Sequence, residues 1–384
     1  MINPILKGIT WDHPRGYDPL MASSALYEKL FDVKIKWETR SLTNFGDQSL
    51  QGLADRFDLL IIDHPHSGVA FETNCLFPLD ELLPKGKIVE LKNQTTGPGF
   101  LSYNYGGNQW AIPVDAAMQC SSHRPDLLGD VAVPNNWEEV FELTYLLKKK
   151  NLHVGMALCP TDSLCSFLTI TAQLGSPVIE GNAMFVKRET GLQSLELMCR
   201  MRDNFHQNSL DWNPIQLYDH MSTHDDIAYA PLAFCYTNYS RDGFRKNKLI
   251  YNNAPGIINA VLGGAGIAVS AKSKFLNEAA QYITWICSAE IQSSIYVKEQ
   301  GQPANMVAWK TDFANELTSN FFFNTFETLT NAYVRPRYFG WPEFQKYLGD
   351  ILHAYLKDDT DPVKVLDHLQ EAYRLSYEKS KQVR

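Results

Sequence analysis

The residues that constrain this chain most are Phe57–Asp63, FDLLIID. A run this apolar leaves no face for water, and it fits a strand covered on both sides, as in a parallel sheet flanked by helices. What precedes it agrees. Lys7–Trp11 reads as a first strand, Pro19–Phe31 carries apolar residues at helical spacing, Val33–Trp37 (VKIKW) alternates, and Ser49–Arg56 has helical character. Strand, helix, strand, helix, strand in that order predicts a layered α/β unit. The loops that close the first and third strands are Asp12-His13-Pro14-Arg15-Gly16 and Asp63-His64-Pro65-His66-Ser67-Gly68.

At 384 residues the chain exceeds one ordinary core, so two domains are expected. A short strand at Gln109–Val114 ends on Asp115, and the chain then crosses into a second unit. That unit shows helical spacing at Trp137–Lys150, with Asn135 or Asn136 as its cap and three closing lysines, and again at Leu164–Gly175 and Leu192–Asn208. A strand is expected at Ile227–Tyr236, and the Gly-rich strand Ala260–Ser270 (AVLGGAGIAVS) returns to the first unit. Helices follow at Asn277–Ser288 and Ile291–Gln300, then a break at Gly301–Ala304, then amphipathic stretches at Trp341–Lys357 and Pro362–Gln382.

Charge and composition exclude several functions. The net charge of −8 argues against a nucleic-acid partner. No apolar run approaches the roughly 18 residues of a membrane span. GGAGIA lacks the GxGxxG spacing and the Lys-Ser/Thr of a phosphate loop, so no nucleotide cofactor is expected. Seven scattered cysteines without a CxxC pair give neither a disulfide framework nor a zinc pair; they read as free, mostly buried thiols of a reducing compartment. The opening residues, MINPILKGITWDHPRG, have no basic, apolar or small-residue export pattern. As it stands the sequence reads as cytoplasmic, and as extracellular or periplasmic if a leader has been removed.

Several segments in a fixed order resemble the extracellular solute-binding proteins that serve carbohydrate ABC importers. They are LFPLDELLP at Leu76–Pro84, GNQWAIPVD at Gly107–Asp115, RPDLL at Arg124–Leu128, PNNWEEVFELTYLL at Pro134–Leu147, QGQPA at Gln300–Ala304 and RPRY at Arg335–Tyr338. The resemblance implies a periplasmic-binding-protein-like α/β fold, with two lobes, a hinge and a ligand cleft between them. It places the first lobe at residues 1–115 plus 262–310 and the second at 116–261 plus 311–384, with hinge strands near Asp115 and Ala260. It implies a small polar ligand, a carbohydrate or a sugar acid, bound by hinge closure without chemistry, and an ABC permease as partner.

Ligands of open α/β sheets sit beyond the carboxyl ends of the strands. The expected ligand-binding residues are therefore Trp11, Asp12, His13, Arg15 and Tyr17 after the first strand, Asp63, His64 and His66 after the third, Asp115 and Gln119 at the crossing, Gly263 and Gly264 on the Gly-rich strand, and Arg337 near the end. Asp12, Asp63, Asp115, Arg15 and Gln119 suit sugar hydroxyls; Trp11, Tyr17 and Trp341 suit ring faces; Arg15 and Arg337 suit a carboxylate. Each has a plainer role as well. Asp12 and Asp63 suit helix caps, Arg335 and Arg337 suit salt bridges, and the glycines suit backbone geometry.

The two Asp-His-Pro tripeptides bring His13, His64, His66, Asp12 and Asp63 to neighbouring strand ends. Such groups serve hydrogen bonding, proton transfer or metal binding, though their spacing matches no metal motif, and neither metal nor cofactor is expected. They carry the alternative function, a cytosolic sensor or an enzyme acting on a sugar-derived metabolite. A second polar cluster, His220 and His224 with Asp219, Asp225 and Asp226, reads as a rim loop. No nucleophile stands out, and Cys120 reads as buried and inert.

Overall fold

The structure, a computed structural model, describes residues 4–181, 184–358 and 360–382. The outermost ends of the expected lobes, residues 1–3 and 383–384, lie outside the described residues.

The chain opens with β1 (Ile5–Trp11), α1 (Pro14–Phe31) and β2 (Lys34–Arg40), and β2 lies parallel to β1 with Ile5 opposite Lys34 and Trp11 opposite Arg40. The helix starts earlier than the apolar spacing indicates. His13 caps it, its Nδ1 accepting the Arg15 N–H at 3.1 Å, and Pro14 occupies the first turn, where no backbone donor is missed. The expected loop 12–16 is thus mostly a helix start. β3 (Leu59–Ile62) joins β1 in parallel, and all four of its residues are fully buried. Leu59 and Ile61 pack into one core with Leu6, Ile112, Ile267 and Tyr282, while Leu60 and Ile62 pack into another with Ile9, Trp110 and Ala268. This two-sided burial is what FDLLIID requires.

The crossing strand is longer than expected. β4 runs over Ile112–His123 instead of stopping at Asp115, and only its last residue escapes full burial. It continues because its polar side chains find partners far away in sequence: Asp115 meets Arg15, Gln119 meets Ser166 and Thr169, and Ser121 donates to Asn253 O. Beyond it come β5 (His153–Val154), α2 (Pro160–Gln173), α3 (Arg188–Asn204), α4 (Pro214–Thr223), β6 (Ile227–Phe234), β7 (Ile250–Asn252) and β8 (Leu262–Val269). The sheet order is β2-β1-β3-β8-β4-β6-β5, with β7 also paired to β4. Ile112–Met118 of β4 runs antiparallel to β8, whereas Gln119–His123 pairs with β6 and Ser121–His123 with β7. One strand is therefore shared by both halves of the sheet. Gln302 braces its middle, donating to Ala116 O at 2.6 Å.

The C-terminal helices α5 (Trp341–Asp358) and α6 (Pro362–Gln382) match their apolar spacing. They join a core with Val140, Phe167 and Leu232, in which Leu352 and Leu369 are fully buried. A Cβ on Gly349 would stand 2.6 Å from Pro160 O, so glycine there lets α5 approach the start of α2. A further core, with Met118, Leu217, Tyr251, Trp309 and Phe321, lies beside the shared strand.

Candidate functional site

A cavity of about 220 Å³ opens where β1, β3, β4 and β8 meet the start of α2 and the end of β6. Of the expected residues, Trp11, Arg15, Asp63, Asp115, Gly263 and Gly264 line it. Gly264 has φ +93°, and a Cβ there would stand 2.4 Å from Asp115 O, so no side chain can intrude between β8 and β4 at this wall.

Two ion pairs set the electrostatics, one buried on both sides and one whose carboxylate is half-buried. Arg15 Nε donates to Asp115 Oδ2 at 2.8 Å, its Nη2 donates to Oδ1, and its Nη1 donates to Cys235 O at 2.7 Å. Burial alone would pull the Arg15 pKa down, but Asp115 outweighs it and the guanidinium stays protonated. Burial raises the Asp115 carboxyl, and the facing guanidinium works against that rise. In the second pair Arg335 Nη2 donates to Asp63 Oδ1 at 3.0 Å and Oδ2 at 2.7 Å, and Nη1 donates to Gln345 Oε1 at 2.8 Å. Burial pushes the Asp63 carboxyl up, yet Arg335 and then His64 hold it well below the usual carboxylate range.

A third carboxyl has no such partner. Asp162, in the first turn of α2, is 4% exposed and accepts the Cys159 thiol at 3.1 Å; it has no ion-pair partner among the described residues. Burial raises its pKa to about 7, against the lowering from the thiol and Arg335. Aromatic rings supply the apolar wall. Trp11 and Phe45 lie with centroids 5.2 Å apart, Phe234 and Tyr236 close the end of β6, and the Arg15 guanidinium lies 4.6 Å from the Tyr236 ring centre.

The other expected residues lie outside this lining. Asp12 is exposed, although its N–H still donates to Arg40 O of β2 at 2.8 Å. Tyr17 packs against the first core on the side of α1. Gln119 is buried between Ser166 Oγ and Thr169 Oγ1, which consume its amide. Arg337 Nη1 donates to the carbonyls of Leu101, Ser102 and Asn104, so it ties a loop instead of facing the cavity. Trp341 is fully buried in the core of the C-terminal helices.

The three imidazoles at the two Asp-His-Pro turns lie outside the cavity lining. His13 caps α1 with a neutral ring, its pKa pushed down to about 3 by burial and then by Arg15. His64 is fully buried behind Asp63, and burial followed by Arg335 brings it down to about 4. Burial likewise lowers His66, whose Nε2 lies 3.1 Å from Gly46 O and tethers the segment that carries Phe45. Asp63 does act as a cap, accepting the His64 N–H at 2.8 Å, and it lines the cavity as well.

The sequence matches the bacterial extracellular solute-binding protein family over residues 24–316. The chain belongs to that family. No curated protein matches it. Among solved structures, the maltose-bound MalE3 of T. maritima superposes with a TM-score of 0.80 at 16% identity, covering 97% of this chain and 99% of that one. A ribitol complex of an ABC transporter solute-binding protein from Agrobacterium radiobacter gives 0.81 at 18% identity, covering 97% and 98%. The GacH receptor of Streptomyces glaucescens, described unliganded and with acarbose, gives 0.81 at 14% identity, covering 98% and 99%. The fold of this solute-binding protein is thus the periplasmic-binding-protein-like one. None of its described helices is long and apolar enough to cross a membrane.

Sequence reasoning on this solute-binding protein missed Asp162, Phe45, Phe234 and Tyr236, and weighed Arg335 without its partner. Pro160 followed by Thr161 and Asp162 carries a helix-start signal, with proline and an acid in the first turn, that would have moved the start of α2 forward. Phe45 lies in the short helix Leu42–Asp47, and no local pattern marks it as a cavity wall.

Proposed function

We propose that the protein is the solute receptor of an ABC importer and that it holds an uncharged carbohydrate in this cavity. The observation that carries the reading is the state of the cavity's charges. Both guanidinium groups of the lining are paired with a carboxylate, Arg15 with Asp115 and Arg335 with Asp63, so among the described residues every cation of the cavity already carries a counter-charge, which disfavours an acid. Asp162 is left with only a thiol donor, ready to accept from hydroxyls, beside the aromatic faces of Trp11, Phe45 and Tyr236. Of the two ligand classes the sequence suggests, this favours the carbohydrate over the sugar acid. A volume of about 220 Å³ lies below the roughly 300–1,000 Å³ of drug-sized sites, which favours one sugar ring or a short polyol. The maltose, ribitol and acarbose named for the structural neighbours support a carbohydrate or polyol as the ligand class.

The lobes are read as 1–115 plus 262–310 and 116–261 plus 311–384, hinged near Asp115 and Ala260. Separate cores on the two sides support this reading, as does a further core around Met118 and Trp309 that draws residues from both ranges. The family's extracellular placement supports a permease partner at the outer face of a membrane. Burial of Cys120, Cys165 and Cys287 is compatible with an oxidising surrounding, since a shielded thiol whose pKa burial raises reacts slowly.

The test is isothermal titration of the purified protein with glucose, ribitol, maltose and gluconate, followed by analysis of the recovered solute. Saturable binding of a neutral member, recovered unchanged and weakened in Asp162→Ala, supports the reading. Binding of gluconate alone would refute the ligand class, and a consumed ligand would refute the receptor role.

A further inference from the structure

The strongest unassigned chemistry lies away from the cavity. His206 follows α3, His220 sits in the last turn of α4, and Asp226 precedes β6. His220 Nε2 is 2.8 Å from Asp226 Oδ1 and 3.1 Å from Oδ2, and His206 Nε2 is 3.2 Å from Oδ2. One ligand atom from each of the three lies within 4.8 Å of the others. Three separate backbone elements converge here, and each is fixed from behind: His206 N donates to Val154 O at 2.7 Å, Asp226 O accepts from His153 N at 2.7 Å, and α4 is closed by the capping box of Asn213 and Gln216.

We propose that His206, His220 and Asp226 form a binding site for a divalent transition-metal ion of the zinc class. Two imidazoles and one carboxylate are the ligand set of open three-residue zinc sites, and nitrogen donors select such ions over magnesium or calcium. The surroundings hold the rings in place. The indole of Trp212 stacks on His206 at 5.0 Å and 9°, and it lies 4.7 Å from His220, which also stacks on His224 at 4.2 Å and 3°. All three ligands are half-buried, so an ion can reach them and retain water in its open position.

The ion-free arrangement closes the same atoms by hydrogen bonds, with Asp226 accepting from both Nε2 atoms. Loading moves each ring proton to Nδ1 and frees Nε2 as the ligand atom. His206 then gives up a long contact in which its Nδ1 accepts the Asn208 N–H at 3.3 Å. Asn213, the residue after Trp212, lines the ligand cavity, so the ion would also stiffen the segment that carries it. The proposal does not depend on the ligand reading, because none of its three residues lines that cavity.

The test uses the untagged full-length protein, stripped with a chelator and titrated with Co²⁺ while the visible d–d absorption is followed, then with Zn²⁺ in competition. A single equivalent of Co²⁺ bound at micromolar concentration and displaced by Zn²⁺ is expected. His220→Ala and the isosteric Asp226→Asn should each weaken it at least about tenfold, with His368→Ala unchanged. Circular dichroism of the metal-free variants controls for folding, and His206→Gln replaces His220→Ala if the latter unfolds. Failure to saturate at one equivalent, or equal affinity in the wild type and both Asp226→Asn and a histidine variant, would overturn the proposal.

Discussion

Replacing Arg335 with methionine should destabilise the protein severely, and replacing Asp63 with asparagine in the same chain should restore most of the loss. Arg335 is 3% exposed, and its Nη2 lies 2.7 Å from Asp63 Oδ2. Unit charges about 4 Å apart in an effective dielectric of about 20 attract by about 4 kcal/mol. That agrees with the loss of about 3–5 kcal/mol found when one partner of a buried pair is removed and the other charge is stranded. Arg335→Met alone should therefore cost about 3–5 kcal/mol at neutral pH. The double variant carries no stranded charge and should lie within about 1–2 kcal/mol of the wild type. Urea unfolding followed by tryptophan fluorescence measures all four corners of the cycle. The pH dependence adds an independent check. Asp63 has a depressed pKa, so its contribution is present above the unfolded carboxylate value and is lost as pH falls toward its folded value. In Arg335→Met burial acts with far less opposition and Asp63 takes up a proton at higher pH, so the gap from the wild type should narrow on acidification. Additive single losses, with no recovery in the double variant, would refute the reasoning.

Asp162 works in the opposite sense. Burial raises its pKa to about 7, so between about pH 4 and 7 the folded state keeps a proton that the unfolded chain has lost, and the cost is complete only above that range. Asp162→Asn should gain up to about 4 kcal/mol over the wild type at pH 8 and nothing near pH 4; parallel profiles in chemical denaturation would count against it. Gly264→Ala should cost more than about 1 kcal/mol in the same assay, because φ +93° and the contact with Asp115 O oppose a side chain. Trp11→Ala should lose about 3–5 kcal/mol of stability and abolish any sugar-dependent thermal shift; a retained shift would remove Trp11 from the site.

What the sequence made legible were features settled within a few residues. The four residues of β3 are apolar on both faces and are buried on both faces. Among the glycines of β8, Gly264 marks the point where the backbone must pass close to Asp115. What stayed hidden depended on partners that local spacing does not encode. α1 begins at Pro14 because a histidine caps it, and histidine is not among the usual cap residues. β4 passes through Asp115 and Gln119 because Arg15, Ser166 and Thr169 satisfy them, and no neighbour in sequence announces that. Arg335 stands 272 positions from Asp63, and the same long reach separates a cavity wall from a surface salt bridge.

The place of β8 in the sheet has a consequence for how the protein is made. It lies between β3 and β4, yet the chain reaches it only at Leu262. During synthesis every other strand of the sheet therefore leaves the ribosome before β8, with a slot between β3 and Ile112–Met118 of β4 whose facing edges still await their partner. Such edges invite pairing with other chains, and a nascent or truncated product ending before Leu262 should need a chaperone's cover to stay in solution. The part of the protein that emerges first is among the last to be finished.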